Sequence, residues 1–212
     1  MSLLATAWDR FGAFLAPPRC SACDEPTGPR VAFCARCART IERSSSPGAA
    51  FVYGGAIAAA ISRFKYTPMP ELGVPLGLLL SQAARERTAE VDAVVPVPLH
   101  ATRLVERGFN QSTLLARPVA RALGVRLFVR ALERTRPTPR QAELDRAARL
   151  RNVAGAFRAR PRPRLEGLRV LLVDDVRTTG ATERACAQAL RDAGCREVHS
   201  LVLAIAAPIA YP

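Results

Sequence analysis

The hydrophobic and polar positions beyond residue 50 follow two different periods. Apolar residues recur at helical spacing in some segments and form short, nearly continuous runs in others. The predicted helices cover residues 55–64, 75–87, 111–123 and 181–193, and the predicted strands cover residues 91–97, 170–173 and 198–203. Strands that alternate with helices and have few polar positions are typical of a parallel sheet covered by helices on both faces. The sequence therefore predicts an α/β fold.

The first 15 residues form an apolar segment with helical periodicity. Its apolar positions recur at helical spacing and are Leu4, Trp8, Phe11 and Leu15. Pro17 and Pro18 follow and end the predicted helix. Asp9 and Arg10 interrupt the segment and no basic stretch precedes it, so we expect no secretory signal. The sequence also lacks a run of 18 apolar residues, so we expect no membrane span. The pattern predicts an amphipathic helix that docks on the body of a cytoplasmic protein.

Two segments have the composition of connections between structural units. Residues 44–48 are Ser, Pro and Gly, which predicts a boundary between an N-terminal unit of residues 1–45 and a main domain of residues 46–212. Residues 130–164 are rich in Arg, Pro and Gln, with helical character at 145–150 and a strand-like stretch at 153–157. Long segments of this kind are either functional lids or solvated connectors.

The charge of the chain points to phosphate-bearing partners. Among 212 residues, 31 are Lys or Arg and 18 are Asp or Glu, which gives a net charge of +13. Lys65 is the only lysine, and guanidinium groups match the geometry of phosphate oxygens. The length allows one domain with a small appendage and excludes a long multidomain machine.

Four of the six cysteines form two closely spaced pairs. They are Cys20, Cys23, Cys34 and Cys37, in the spacing C-x2-C-x10-C-x2-C. Four thiolates at this spacing are typical of a structural zinc site, because sulfur fills every position of the tetrahedron and leaves none for water. Two disulfides and an iron–sulfur centre are the alternatives. We predict structural Zn²⁺, which would supply the folding free energy that so short a segment lacks.

Residues 170–182 combine an apolar strand, two carboxylates and a hydroxyl-rich loop. Asp174 and Asp175 follow the strand, and the loop that opens the next helix consists of Thr178, Thr179, Gly180, Ala181 and Thr182. Ligands of open α/β sheets bind outside the carboxyl ends of the strands, and a helix N-terminus binds anions. The two carboxylates are then placed to accept hydrogen bonds from sugar hydroxyls or to act on a hydrated divalent cation. The alternative is that the threonines only cap the helix.

A second predicted strand end carries cationic side chains. Residues 91–97 lead into His100, Arg103 and Arg107, and the two arginines share one face if the segment between them is helical. Such a pair suits a diphosphate, although both residues would also fit an ordinary basic surface. His100 either donates to a phosphate, acts as an acid or occupies a structural position at the strand end.

The run from residue 170 to residue 182 resembles the phosphoribosyl-diphosphate (PRPP) signature of the type I phosphoribosyltransferases. It departs from that signature at Arg177, where an aliphatic or aromatic residue is usual, and this departure is expected to affect the ribose or acceptor pocket. Several other motifs occur in the same order as in the ComF family of competence proteins: the four-cysteine pattern, Phe64-Lys65-Tyr66, P-V-P-L-H at 96–100, R-x-x-x-R-G-F-N-Q at 103–111, Gln141-x-x-Leu144 and Arg149-x-Arg151-Asn152-Val153. The chain resembles that family over essentially its whole length.

The resemblance implies a type I phosphoribosyltransferase fold behind a zinc module. It implies that Asp174 and Asp175 contact the ribose hydroxyls as catalytic residues, and that residues 178–182 wrap the 5-phosphate. Arg103, Arg107 and Lys65 would complete the site for PRPP or a related sugar phosphate with Mg²⁺, and Arg140 and Gln141 would close over it. Phe109 or Tyr66 would stack on a base, with packing as the alternative for Phe109.

The resemblance also implies a role in natural competence and DNA uptake, with other competence proteins as partners. Two functions follow from it. The first is transfer of a phosphoribosyl group to a nitrogen acceptor, and the second is binding of single-stranded DNA by a non-catalytic accessory protein whose PRPP site is vestigial.

Overall fold

A sheet of five parallel strands lies at the centre of the protein. The computed structural model describes residues 18–29, 31–67, 69–88, 90–136 and 155–206. Its strands are β1 (Ala49–Val52), β2 (Ala93–Pro96), β3 (Arg126–Leu127), β4 (Leu132–Arg134), β5 (Phe157–Ala159), β6 (Arg169–Arg177) and β7 (Glu197–Ile205). The central sheet has the order β1-β7-β6-β2-β3, and β4 and β5 form a separate antiparallel pair.

Helices connect these strands and cover the sheet. They are α1 (Ala35–Ala38), α2 (Gly55–Tyr66), α3 (Gly73–Arg87), α4 (Ala101–Arg107), α5 (Gln111–Leu123) and α6 (Ala181–Asp192), with a short 3-10 turn at Pro70–Leu72. Asn110 begins α5, because its Oδ1 accepts a hydrogen bond from the Ser112 amide at 3.0 Å. Gly124 ends this helix in the left-handed conformation that glycine adopts readily.

The alternation of side chains along β6 divides the core into two layers. Leu171 and Val173 pack on one face of the sheet with residues of α2, α3 and α5. Val170 and Leu172 pack on the other face with residues of α6 and the β4–β5 pair. Both faces of β6 are therefore buried, which explains why its sequence reads as an uninterrupted apolar run.

Most of the predicted elements are confirmed, and β6 requires a correction. The helices predicted at 55–64, 75–87, 111–123 and 181–193 are present, with α5 at the predicted residues. The strand predicted at 170–173 continues to Arg177, because Asp174, Val176 and Arg177 keep their pairing with β7. Asp174 and Asp175 therefore lie within the last part of the strand rather than after it. Strand β5 starts at Phe157, where the predicted strand of 153–157 ends.

Several predicted features lie outside the described residues. They are the N-terminal amphipathic helix, the short helix at 145–150, Arg140, Gln141 and the motifs at 141–144 and 149–153. Among the described residues, the structure contains no helix that is long and apolar enough to cross a membrane. The domain boundary after residue 45 stays a prediction. At that point, the Ser44 amide donates to the Ala50 carbonyl, so the two sides of the boundary are in contact.

Candidate functional site

The four paired cysteines come together in one cluster. Their sulfur atoms all lie within 4.8 Å of one another, and the Sγ atoms of Cys23 and Cys34 are 3.7 Å apart. A tetrahedral zinc ion with Zn–S bonds of about 2.3 Å separates its sulfur ligands by about 3.8 Å. The donor set and its spacing therefore fit zinc, with Cys20 and Cys37 as the remaining ligands. All six cysteines are free thiols, so the disulfide alternative is not observed.

The cysteine module is attached to helix α2 at both ends. Thr40 Oγ1 accepts a hydrogen bond from the Ala56 amide at 2.9 Å and donates to the Cys37 carbonyl at 2.8 Å. Near the other end of the helix, Arg63 donates to the Cys20 carbonyl at 3.0 Å and pairs with Asp24 at 2.7 Å. The module thus fixes the helix that carries Lys65 at its C-terminal end.

A cavity of about 430 Å³ opens at the carboxyl ends of the central strands. Its walls come from α2, α4, the start of α5, strand β4, the end of β6 and the loop before α6. Of the residues predicted to bind a sugar phosphate, it is lined by Lys65, Arg103, Arg107, Asp174, Asp175, Thr178 and Thr182. Segments from five separate parts of the chain therefore meet around one opening, at the edge where open α/β sheets bind ligands.

Asp174 lies on the face of β6 that is turned toward α6 and β4. Its Oδ1 accepts hydrogen bonds from Ser112 Oγ at 2.7 Å and from the Asp175 amide at 2.9 Å. Burial and the neighbouring Asp175 charge raise the pKa of Asp174 to about 7, although the Ser112 hydrogen bond and Lys65 oppose the shift. The Asp174 carboxyl is consequently held in place and close to its point of titration at neutral pH.

Asp175 lies on the opposite face of the strand, against α2. Its Oδ1 accepts a hydrogen bond from Lys65 Nζ at 2.9 Å, and its side chain is only 4% exposed. Burial acts to lower the pKa of the Lys65 amine, but the Asp175 charge and hydrogen bond outweigh it and the pKa is raised. The second oxygen, Oδ2, is buried and has no hydrogen-bond partner among the described residues. A buried carboxylate oxygen without a donor is costly, so a ligand donor at this point would be stabilising.

The threonine loop leads into the N-terminus of α6, a position that suits an anion. Gly180 adopts the left-handed conformation with φ of 71° and starts α6, a helix of 12 residues. Thr179 Oγ1 accepts a weak hydrogen bond from the Ala181 amide at 3.4 Å. Thr178 and Thr182 line the cavity, so the loop presents hydroxyls beside the N-terminus of a helix.

Arg177 has a different position from the one expected for the signature. It is absent from the cavity lining, and its guanidinium forms a bidentate pair with Glu183 at 2.6 to 3.0 Å. The same guanidinium donates to the carbonyls of Pro47 and Gly48 at 2.8 and 3.2 Å. The residue thus joins the two ends of the threonine loop and ties them to the segment before β1. The departure from the signature at Arg177 affects loop support and not the cavity lining.

Helix α4 brings the two predicted arginines onto one wall of the cavity. Arg103 and Arg107 both line it, and Arg107 donates to Gln111 Oε1 at 2.6 Å. His100 is the N-cap of this helix, because its Nδ1 accepts a hydrogen bond from the Thr102 amide at 3.3 Å. It is not among the cavity-lining residues, so its position supports the structural alternative.

Arg134 is a cavity residue that the sequence did not single out. It lies on β4 with its guanidinium 5.4 Å from the centre of the Phe157 ring. Burial, followed by the nearby Arg103 charge, lowers the pKa of Arg134. The sequence of 130–164 leaves a lid and a solvated connector open, and a three-residue strand is too short for its alternation to be recognised there.

The two aromatic residues predicted to stack on a base, Phe109 and Tyr66, occupy different environments. Phe109 stacks on Phe64 with ring centres 5.4 Å apart and belongs to the core. Tyr66 lines the cavity with 68% of its surface exposed, and Tyr53, which the sequence did not single out, lines it with 40% exposed. The cavity is therefore lined by two accessible aromatic rings as well as by the arginines of α4.

Comparison with known proteins gives a family match, several related proteins and similar solved structures. The family described as phosphoribosyl transferase domain matches residues 110–210. DNA utilization protein YhgH of Salmonella typhimurium is 32% identical over 198 residues, covering 84% of this chain and 86% of that protein. YhgH of Escherichia coli K12 is 36% identical over 151 residues, covering 69% and 66%. Competence protein F of Haemophilus influenzae is 34% identical over 144 residues, covering 65% and 63%.

Among solved structures, the glutamine PRPP amidotransferase from B. subtilis complexed with ADP and GMP is similar, with a TM-score of 0.47 and 27% identity. The similarity covers 66% of this chain and 30% of that chain. The parallel sheet with helices on both faces is the predicted type I phosphoribosyltransferase fold. With the homology to YhgH and competence protein F, these findings show that the chain belongs to the ComF family.

Proposed function

We propose that the protein binds PRPP or a closely related sugar phosphate with Mg²⁺, and transfers its phosphoribosyl group to a nitrogen nucleophile during DNA utilisation or competence. The observation that carries this proposal is the pair Asp174 and Asp175 in a cavity beside an anion-binding loop. Asp175 Oδ2 in particular is buried without a donor, as expected of an atom that accepts a hydrogen bond from a sugar hydroxyl.

In the proposed reaction, each wall of the cavity binds a different part of the substrate. The amides and hydroxyls of residues 178–182 bind the 5-phosphate, and the two aspartates accept hydrogen bonds from the ribose hydroxyls. Arg103 and Arg107 hold the diphosphate with charge-assisted hydrogen bonds. The carboxylates are hard oxygen ligands that suit Mg²⁺, which when bound would neutralise charge on the leaving diphosphate.

The transfer breaks the bond between ribose C1 and the diphosphate oxygen and forms a bond between C1 and the acceptor nitrogen. The electron pair of the broken bond leaves with the diphosphate, and the nitrogen loses a proton to solvent. The protein contributes positioning and charge stabilisation to this step. Lys65 supports it by keeping the Asp175 side chain in one orientation.

The proposal is tested by calorimetric titration of PRPP with and without Mg²⁺. We expect Mg²⁺-dependent binding that the combined change Asp174→Asn and Asp175→Asn weakens at least about 100-fold, as loss of several hydrogen bonds to one ligand does. Asp192→Asn on the exposed surface of α6 is the matched control. Unchanged affinity in the double variant would refute the assignment. Release of diphosphate on addition of amine and base acceptors then tests turnover.

A second candidate function, binding of single-stranded DNA, has support from the rim of the same cavity. Exposed Tyr53 and Tyr66 line the same cavity as Arg103 and Arg107, and aromatic rings combined with cations are a common platform for unpaired bases. The net charge of +13 favours the same ligand.

This second function predicts a steep salt dependence of oligonucleotide binding. Affinity for a fluorescent single-stranded oligonucleotide should fall at least about tenfold between 50 and 200 mM salt, because each neutralised phosphate releases counterions. Tyr66→Ala should weaken binding at every salt concentration, since the lost stacking does not depend on counterions. An affinity that changes less than about twofold over this salt range would argue against DNA binding at this surface.

A further inference from the structure

Helix α3 has an apolar side that the described residues leave exposed. Val74 and Leu78 lie one turn apart on this helix and are 60% and 54% exposed. Leu76 and Leu80 of the same helix are buried in the core. Single exposed apolar residues are common on protein surfaces, whereas apolar residues that lie side by side mark a surface that binds something. An occupant of this side would come from outside the described residues.

Helix α5 extends this apolar side. The two helices run in the same direction, because a Cβ atom at Gly73 would lie 2.6 Å from Leu114 and one at Gly77 would lie 2.7 Å from Pro118. Leu114 and Pro118 are only partly buried. Each glycine is followed by one of the exposed residues, so the exposed side chains of α3 lie next to this helix contact. The α3–α5 surface therefore consists of Val74, Leu78, Leu114 and Pro118.

The described residues begin at Pro18, close to one end of the α3–α5 surface. The guanidinium of Arg63 donates to the Cys20 carbonyl at 3.0 Å and to Met69 Sδ at 3.3 Å. Cys20 and Met69 thus contact the same side chain. Only a 3-10 turn and Gly73 separate Met69 from Val74. The chain that precedes Pro18 therefore enters beside the N-terminal end of α3.

The sequence before Pro18 has the pattern and the length of an occupant for this surface. Its apolar positions 4, 8, 11 and 15 are separated alternately by four and three residues, the narrow stripe of a helix that packs against other helices. A helix of residues 3–15 is about 20 Å long, and α3 with its 15 residues is about 22 Å long. Phe11 and Leu15 also have the same spacing as Val74 and Leu78.

We propose that residues 3–15 form a helix that packs antiparallel to α3 on the α3–α5 surface, with Leu15 beside Val74 and Phe11 beside Leu78. The direction follows from the entry point, because the chain reaches the N-terminal end of α3 at Pro18 and residue 3 is the far end of the segment. The contact removes apolar side chains of both partners from water. The N-terminal unit is then attached to the main domain through α3 as well as through α2, whatever ligand the cavity binds.

Trp8 reports on this contact, because it is the only tryptophan of the chain and belongs to the apolar stripe. In the native protein we expect its fluorescence emission at shorter wavelength than in the urea-unfolded chain, and weaker quenching by acrylamide. Leu78→Asp should move the emission and the quenching constant toward those of the unfolded chain, because an unpaired charge is costly to bury in an apolar contact. The change suits the rest of the fold, since Leu78 is exposed there.

Val105→Asp is the matched control. It places the same charge at an apolar residue of α4 that is 85% exposed, so the emission of Trp8 should stay as in the native protein. Val74→Asp should have the same effect as Leu78→Asp, and it serves if that variant does not fold. Circular dichroism of each variant checks that the fold is retained.

A native emission equal to that of the unfolded chain, or one that both Leu78→Asp and Val74→Asp leave unchanged, would overturn the proposal. A second copy of the chain is the other occupant that the surface would fit. Sedimentation distinguishes the two, because the proposed contact lies within one chain and the oligomeric state should be the same in the native protein and in Leu78→Asp. Dissociation of a native dimer by Leu78→Asp would assign the surface to the second copy and overturn the proposal.

Discussion

Two adjacent aspartates of one strand have different environments because side chains alternate along it. Asp174 is turned toward Ser112 and the α6 side of the sheet, and Asp175 is turned toward Lys65 on α2. One carboxyl is buried beside a like charge, whereas the other is paired with a cation. The two residues are therefore expected to respond differently to substitution.

The raised pKa of Asp174 predicts a specific pH dependence of stability. In the unfolded chain this carboxyl loses its proton near pH 4, whereas in the folded chain it keeps the proton to about pH 7. The folded state binds the extra proton between these values, so the free energy of unfolding falls as pH rises through that window. Asp174→Asn should remove this loss, which is at most about 4 kcal/mol at about 1.4 kcal/mol per pH unit.

Urea unfolding of the native protein and of Asp174→Asn at pH 5 and pH 8 measures this effect. The stability that the variant gains relative to the native protein should be larger at pH 8 than at pH 5, because about two of the three pH units of the window lie between pH 5 and pH 7. Asn retains the oxygen that accepts from Ser112, so the comparison isolates the charge. Equal stability differences at the two pH values would show that Asp174 is ionised throughout.

The pair of Arg177 and Glu183 predicts a second residue-level effect. Glu183 is 9% exposed in its side chain, so Glu183→Gln leaves a mostly buried guanidinium without its counter-charge. Removing one partner of a buried pair costs about 3–5 kcal/mol. We expect lower stability and weaker binding of ribose 5-phosphate, because the pair joins the ends of the threonine loop. Chemical denaturation and calorimetry measure the two effects.

The matched control for this prediction is Arg158→Gln. Its pair with Glu133 is largely exposed, with 74% of the Arg158 side chain accessible. Exposed pairs contribute about 0–1 kcal/mol, so this change should barely alter stability. If Glu183→Gln is equally mild, the pair with Arg177 does not support the loop.

Among the elements, α2 connects the cysteine module to the cavity. The module contacts both ends of the helix, and Lys65 and Tyr66 lie two and three residues after Arg63. Loss of the metal should therefore loosen α2 and, with it, the position of Lys65 and Tyr66 in the cavity wall. This effect is indirect, since no cysteine lines the cavity. A structural zinc site supplies folding free energy to its own segment and also fixes what is attached to it.

Metal analysis tests this connection. The protein should contain about one zinc ion per chain, and Cys34→Ser should lose most of it because a tetrahedral site needs all four sulfurs. The same variant should bind PRPP more weakly. Cys195→Ser, a buried cysteine outside the cluster, should keep its zinc. Full zinc content in Cys34→Ser would contradict the four-cysteine site.

Helices α3 and α5 approach closely enough to require glycine. A Cβ atom at Gly77 would lie 2.7 Å from Pro118 Cγ and 3.2 Å from the Leu115 carbonyl oxygen. Alanine is favoured over glycine in a helix by about 1 kcal/mol, yet Gly77→Ala should destabilise the protein by about 1–3 kcal/mol through overpacking. Thermal unfolding measures whether the gain in helix propensity or the cost of overpacking is larger. An increase in Tm would contradict the prediction, because it would show that the two helices can move apart without loss of stability.

The sequence predicts long periodic elements better than short ones. Helix α5 and strand β7 have periodicities that extend over many residues, and both were predicted. Strands β3 and β4 have two and three residues, which is too few for a period, so tertiary pairing rather than local pattern defines them. Segment 44–48 reads as a linker, yet Pro47 and Gly48 bind Arg177, a contact between residues about 130 positions apart.

At the scale of the whole molecule, the parallel sheet gathers chemistry from distant parts of the chain. The aspartates, the threonine loop and the arginines of α4 could be predicted to meet, because the aspartates lie at the end of a recognisable strand, the loop and α4 each follow one, and parallel strands end at one edge. The approach of Lys65 to Asp175 and of Arg134 from β4 depends on packing between elements, which no local pattern specifies.

The most direct test of the central claim is a crystal structure with ribose 5-phosphate and Mg²⁺ at saturating concentration. The account predicts the 5-phosphate at residues 178–182 and two ribose hydroxyls within hydrogen-bond distance of Asp174 and Asp175, with one of them on Asp175 Oδ2. Density for the sugar elsewhere, or a cavity without it at that concentration, would contradict the claim that this strand end binds a phosphorylated sugar.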